Sequence, residues 1–124
     1  MAKILLVDDN SKIRIITRMM LEKTGHEVLE ASSGEEGLKM LEKDTPDLIL
    51  LDIMMPGMDG WEVCQKIKAD EKYRDIPLVM LTVRASEEDM DKSMEYGADA
   101  HVNKPFDMEY LLDTVERQLK NRTQ

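Results

Sequence analysis

Leu48-Ile49-Leu50-Leu51-Asp52 decides the fold. Four apolar residues in succession, closed by a carboxylate and free of polar alternation, fit a strand buried on both faces, as in a parallel sheet between two helix layers. Outward from it, similar runs recur at Ile4 to Val7 and Leu78 to Leu81, with a shorter one at Val28-Leu29 and a weaker fifth around Ala100 to Val102. Between them apolar residues take helical spacing: Ile13, Ile16, Met20; Leu38, Leu41; Val63, Ile67; Met90, Met94; and Leu111 or Leu112, Val115, Leu119. Ser33 with Glu36 and Asp59 with Glu62 have capping-box spacing, Ser86 precedes an acidic first turn, and Gly25 and Gly97 sit where helices should stop. Strand then helix, five times over, predicts an α/β fold with a parallel sheet wrapped by helices, because parallel neighbours need a crossover. Met90 and Met94, four apart, are expected to fill the core.

Composition bounds the function. The chain has 124 residues, the size of one domain, expected to span 1–124 with a polar, fraying tail from Lys120 to Gln124. Leu, Ile, Val and Phe make up about 24% of it, above the roughly 20% at which a core fails. A net charge of -9 repels phosphate backbones and anionic lipid, so neither nucleic acid nor membrane is an expected partner. The sequence shows no signal-peptide core and no membrane span, and its lone Cys64 cannot form an internal disulfide. A cytoplasmic, reducing setting is expected.

In open parallel sheets, ligands bind beyond the carboxyl ends of the strands. Here the first strand runs into Asp8-Asp9, the third into Asp52, the fourth into Thr82 and the fifth into Lys104-Pro105. Each alone is an ordinary cap, strand residue or solvated charge; together they form a set. Two carboxylates about 4 Å apart repel by about 4 kcal/mol at an effective dielectric near 20, so one keeps its proton or a cation sits among them. Hard oxygens with few protein ligands suit Mg²⁺, which also accepts phosphate oxygens. An aspartate can carry a phosphoryl group as an acyl phosphate, a transfer that needs mainly positioning and charge neutralisation.

These residues carry a resemblance. Ile4 to Asp9, Asp47 to Gly60 with its Asp52-Ile53-Met54-Met55-Pro56-Gly57 centre, Pro77 to Thr82, Gly97-Ala98-Asp99-Ala100 and Asn103-Lys104-Pro105-Phe106 resemble a response-regulator receiver domain of two-component signalling, close to the single-domain chemotaxis type. The resemblance covers the whole chain and implies the flavodoxin-like strand order 2-1-3-4-5. It implies Asp52 as phosphoacceptor; Asp9, Asp52 and the Met54 backbone carbonyl as Mg²⁺ ligands, with Asp8 assisting through water; Lys104 pairing with Asp52 or its phosphoryl oxygens; and Thr82 donating its hydroxyl. The Lys104-Pro105 bond resembles the family's cis peptide, and Pro56-Gly57 shapes the acceptor loop. Implied partners are a sensor histidine kinase or phosphotransfer protein and a downstream protein target. The implied output is binding through the fourth helix, fifth strand and fifth helix, by a monomer or a phosphorylation-dependent dimer without an output domain of its own.

Two positions depart from the family pattern. His101 stands where a switch Tyr or Phe is usual, and Val83 where a small residue is usual. His101 can rotate and, unlike Tyr or Phe, titrate near neutral pH; the plainer expectation is a half-exposed histidine on an end strand. Met54 and Arg84, two residues past Asp52 and past Thr82, are similar to the apolar side chain and cation that accompany a long-lived acyl phosphate in receivers, and the resemblance implies slow self-hydrolysis. Competing readings are a haloacid-dehalogenase-type phosphatase, which lacks its second aspartate because Met54 stands there, and a module on the same scaffold that is never phosphorylated. A nucleotide-binding flavodoxin-like protein lacks its Gly-rich loop, and His26 and His101 have no cysteine partners for zinc. Trp61, beside the acceptor loop, is expected to pack and to report Mg²⁺ through its fluorescence.

Overall fold

A computed structural model describes residues 2–53, 55, 57–82, 91–92, 94–103 and 107–122, with backbone alone for Thr82, Asn103 and Arg122. All five apolar runs are strands: β1 Lys3–Val7, β2 Glu27–Ala31, β3 Leu48–Asp52, β4 Leu78–Thr82 and β5 Ala100–Asn103. They form one parallel sheet in the order β2-β1-β3-β4-β5. Four helices are described with full bounds: α1 Ser11–Lys23, α2 Gly34–Lys43, α3 Gly60–Ala69 and α4 Met108–Arg122. Residues 91–92 and 94–95, in the predicted helix after β4, are also helical.

The sheet's two faces sort the core by the period of two expected of a strand. Leu5, Val7, Ile49, Leu51, Leu78 and Met80 pack with Leu41 of α2 and Val63, Cys64 and Ile67 of α3. Ile4, Leu6, Leu48, Leu50, Val79 and Leu81 pack with Leu21 of α1 and Leu111 and Val115 of α4. The unalternating runs are thus buried on both faces, while β2, at the edge, keeps Glu27 exposed. Ser33 and Asp59 cap α2 and α3 as expected. Gly25 and Gly97 end helices at φ +95° and +98°, a region costly for residues with a Cβ.

Two expectations need correction. Ile16 is 57% exposed: α1 buries Thr17 and Leu21, and a neighbour about 100° round the helix from Thr17 falls off that face. Met94 is 60% exposed, because the described part of its helical segment turns it outward from the sheet core; Met90 and Ser86 lie outside the described residues. α4 runs as far as Arg122, residues 123–124 lying outside the described residues. Among the described residues no helix is long and apolar enough to cross a membrane.

Candidate functional site

The register of the sheet builds the site. Val7 pairs with Leu51 on the adjacent strand, so Asp8 and Asp52 leave β1 and β3 at the same level, one strand spacing apart. Alternation carries Asp52 onto the side of Leu48 and Leu50. Asp8 is fully buried and Asp52 3% exposed, while Asp9 is exposed. The three carboxylates offer oxygens that all lie within 4.8 Å of one another. Two of the carboxyl groups thus lie beneath the surface and the third is exposed.

Local structure holds this arrangement in place. The Asp8 N–H donates to the Ala31 carbonyl at 3.1 Å, and its Oδ1 accepts the Asn10 N–H at 2.9 Å. Asn10 is also the N-cap of α1, its side chain accepting from the Ile13 N–H at 3.1 Å. Below Asp52 the chain turns sharply: the Ile53 N–H donates to Leu81 and the Gly60 N–H to Ile53, both at 2.9 Å. A Cβ on Gly60 would collide with the Asp52 carbonyl and lie 2.6 Å from the Ile53 Cα. Glycine therefore lets α3 start directly against the end of β3. Gly57 turns the loop at φ +78°.

The donor set fits Mg²⁺. With bonds of 2.0–2.1 Å, opposite ligands of an octahedron lie about 4.2 Å apart and adjacent ones about 2.9 Å. Oxygens that all lie within 4.8 Å of one another would close by up to about 0.6 Å as opposite ligands of such an ion and by up to about 1.9 Å as adjacent ones, leaving the other positions to water and phosphate. Bound there, the ion would offset the repulsion of the carboxylates and the charge of a phosphoryl group.

The predicted residues divide into those the sheet gathers and those outside the description. Asp8, Asp9 and Asp52 converge as expected. The backbone of Thr82 ends β4, its Cα opposite that of Asn103, one residue past the Leu81 that pairs with Asp52. Met54, Pro56, Val83, Arg84, Lys104, Pro105 and Phe106 lie outside the described residues. His101 is half-buried on the edge strand β5 opposite Met80 and lines a cavity of about 320 Å³ with Met94, Tyr110, Thr114 and Arg117. Trp61, in the first turn of α3, packs on the core under the Lys92 ammonium, 4.0 Å from its ring centroid. Sequence reasoning assigned no role to Asn10 or Gly60. Asn10 was legible as a cap three residues before Ile13, where the apolar helical spacing begins, whereas the need for glycine at position 60 arises only from the approach of α3 to β3.

Comparison with known proteins agrees with this geometry. Residues 4–116 match the family described as response regulator receiver domain. Transcriptional regulatory protein AfsQ1 of Streptomyces coelicolor is 43% identical over 105 residues, 85% of this chain and 45% of its own length. The DNA-binding dual master transcriptional regulator RpaA of a Synechocystis species is 40% identical over 123 residues, 99% of this chain and 51% of its own. The chain spans about half the length of such curated relatives. Chemotaxis protein CheY4 of Vibrio cholerae superposes with a TM-score of 0.90 at 37% identity, covering 94% of this chain and 98% of its own.

Proposed function

The chain belongs to the response regulator receiver domain family, and from that premise we propose that it is a phosphorylation-dependent switch with Asp52 as phosphoacceptor. The observation that carries the reading is the gathering of Asp8, Asp9 and Asp52 within 4.8 Å where β1 and β3 end. An Asp52 carboxylate oxygen attacks phosphorus in a phosphohistidine of a sensor kinase or phosphotransfer protein. The O–P bond forms as the P–N bond breaks, and the released imidazole takes a proton. Asp9, Asp52 and the Met54 carbonyl are the Mg²⁺ ligands of this reading, Asp8 acts through water, Lys104 neutralises the phosphoryl oxygens and Thr82 donates to them.

Phosphorylation adds about -1.5 to -2 charges and three acceptor oxygens. Drawing Thr82 toward them shifts the chain after β4 and the adjoining surface of β5 and α4, where His101, Tyr110 and Arg117 line one cavity. The response is a population shift read by a partner protein; Asp52 is a transient acceptor that the chain phosphorylates and dephosphorylates on itself, not a turnover nucleophile. The -9 charge of this chain argues against its own contact with DNA. The words "DNA-binding" and "transcriptional" in the relatives' names describe proteins about twice its length. A cytoplasmic setting, and a monomer or phosphorylation-dependent dimer, complete the reading.

The test is incubation with acetyl phosphate and Mg²⁺ followed by intact-mass measurement. The expected result is one phosphoryl increment, absent without Mg²⁺ and absent in Asp52→Asn. An increment that persists in Asp52→Asn, or none in the unmutated chain, overturns the assignment.

A further inference from the structure

Arg14 of α1 reaches the acidic site through the main chain. Its Nη1 donates to the Asp8 carbonyl at 2.7 Å, and that carbonyl belongs to the peptide joining Asp8 to Asp9. The preceding peptide, Val7–Asp8, is anchored as well, since its Asp8 N–H donates to the Ala31 carbonyl on β2 at 3.1 Å. A bond to this oxygen fixes the plane between two metal-ligating candidates, and so fixes how Asp9 leaves Asp8. Rotation of that plane would move the one exposed carboxylate relative to the two buried ones.

Arg14 is itself held. Its Nε donates to Glu30 Oε1 at 3.1 Å, and the other oxygen of Glu30 accepts from Arg18 Nη1 at 2.5 Å. Arg14 and Arg18, one turn apart on α1, thus grip one carboxylate of β2. The Arg14 side chain is 17% exposed and that of Glu30 25%, so this pair is shielded more than an ordinary surface pair. The guanidinium is a permanent cation beside a carboxylate cluster, and Glu30 offsets its charge. Without Glu30, Arg14 would compete electrostatically with any cation the triad takes up.

We infer that Arg14, braced by Glu30, is a positioning residue for the divalent-cation site: it orients the Asp8–Asp9 peptide, and Glu30 masks its charge so that the triad keeps its affinity for the ion. This rests on the functional reading above. Nothing in the motif that carries the family resemblance contains either residue. The planar fork is essential to it, because one edge serves the carbonyl and another the carboxylate; a lysine ammonium offers neither edge.

The test is calorimetric titration of the full chain with Mg²⁺ alone, which reads binding without phosphoryl transfer. Arg14→Lys keeps the charge and loses the fork, and is expected to weaken Mg²⁺ binding about tenfold, the lower end for an outer-shell partner. Glu30→Gln unmasks the charge, and is expected to weaken binding about threefold at low salt, the loss fading as salt screens it. Arg18→Gln, which removes a partner of Glu30 only at its far oxygen and otherwise a pairing with Glu22, is expected to stay within about twofold. Thermal unfolding is measured alongside. Arg14→Lys and Glu30→Gln proteins that lose stability yet bind Mg²⁺ as the unmutated chain does would show a structural brace and overturn the inference while sparing the functional reading. Equal weakening by Arg18→Gln would overturn it too. An unmutated chain that takes up no Mg²⁺ would overturn both.

Discussion

The two rims of the sheet use aspartate to opposite ends. Where the strands begin, acids close staples. Asp47 accepts the Lys3 N–H at 2.8 Å, Asp44 meets the Lys3 ammonium at 2.6 Å and raises its pKa through that hydrogen bond, and Asp99 takes both the Leu78 N–H at 2.8 Å and the Lys68 ammonium at 2.9 Å. The His26 ring meets Glu116 at 2.8 Å and the Ala2 N–H at 3.2 Å. Where the strands end, Asp8, Asp9 and Asp52 are brought together instead. A carboxylate beside a base lowers the energy of the fold, whereas one beside its own kind raises it until a cation arrives. The rim that gathers like groups is the one suited to binding a cation.

The largest effect expected from this contrast lies at the stapled rim. Lys68 Nζ donates at 2.9 Å to the Arg74 and Ile76 carbonyls as well as to Asp99, and its side chain is 14% exposed. Lys68→Met removes the donor to the part-buried Ile76 carbonyl and one of two donors to Asp99, and is expected to cost about 1–3 kcal/mol in urea unfolding, with Mg²⁺ affinity unchanged. Loss of Mg²⁺ binding in that variant would break the division of labour between the rims.

Cys64 tests how closed that part of the molecule is. Burial pushes its thiol up to about 11 from 9.0, with Lys68 and Asp99 acting in opposite senses. At pH 8 the folded thiol is expected to alkylate about a hundredfold more slowly than the urea-unfolded one from thiolate fraction alone. The unfolded chain loses this proton above pH 9.0 and the folded chain only near 11. The thiol's contribution to stability is therefore complete below pH 9.0 and declines as pH rises through that window. Equal alkylation rates would show an open rim.

At the acidic rim the sign reverses. Asp52→Asn removes one of three crowded charges and is expected to stabilise the metal-free chain by about 1–2 kcal/mol, a fraction of the roughly 4 kcal/mol two carboxylates exchange at 4 Å. Saturating Mg²⁺ should erase that advantage, because the unmutated chain then gains binding energy that the variant lacks. A metal-free variant less stable than the unmutated chain would mean that Asp52 is a staple as well.

The working rim was the more legible of the two, for a physical reason. Its residues stand at strand ends, and a strand end is visible as the point where an apolar run stops: Val7 before Asp8, Leu51 before Asp52, Leu81 before Thr82. The staples join residues far apart in sequence, His26 to Glu116 and Lys68 to Asp99, and no local pattern announces which lysine meets which aspartate. Arg14 and Glu30 were hidden likewise, since their meeting depends on how α1 lies along β2. The strand order itself came from family resemblance, because periodicity shows that strands are buried but not which is beside which. The misplacement of Ile16 has a local cause: the spacing from Ile13 to Ile16 to Met20 is helical, yet α1 places its buried stripe through Thr17, whose hydroxyl is satisfied by the Ile13 carbonyl at 2.7 Å and so tolerates burial.

The smallest expected effect concerns the contact that leads from the acidic rim to the chain after β4. Trp61 stands at the start of α3, just past the loop that follows Asp52, and Lys92 lies over its ring from the segment that follows β4. An exposed cation–π pair contributes about 0.5–1 kcal/mol, too little to hold the segment and enough to bias it. Lys92→Met should lower stability by about that amount, alter Trp61 emission and leave Mg²⁺ affinity as it is. Because the pair bridges the site and the segment proposed to move, the same substitution should shrink the emission change that beryllofluoride, a phosphoryl mimic, produces. A variant whose response to the mimic matched that of the unmutated chain would show that Trp61 reads only the ion beside it, and that the shift in the chain after β4 travels by another route.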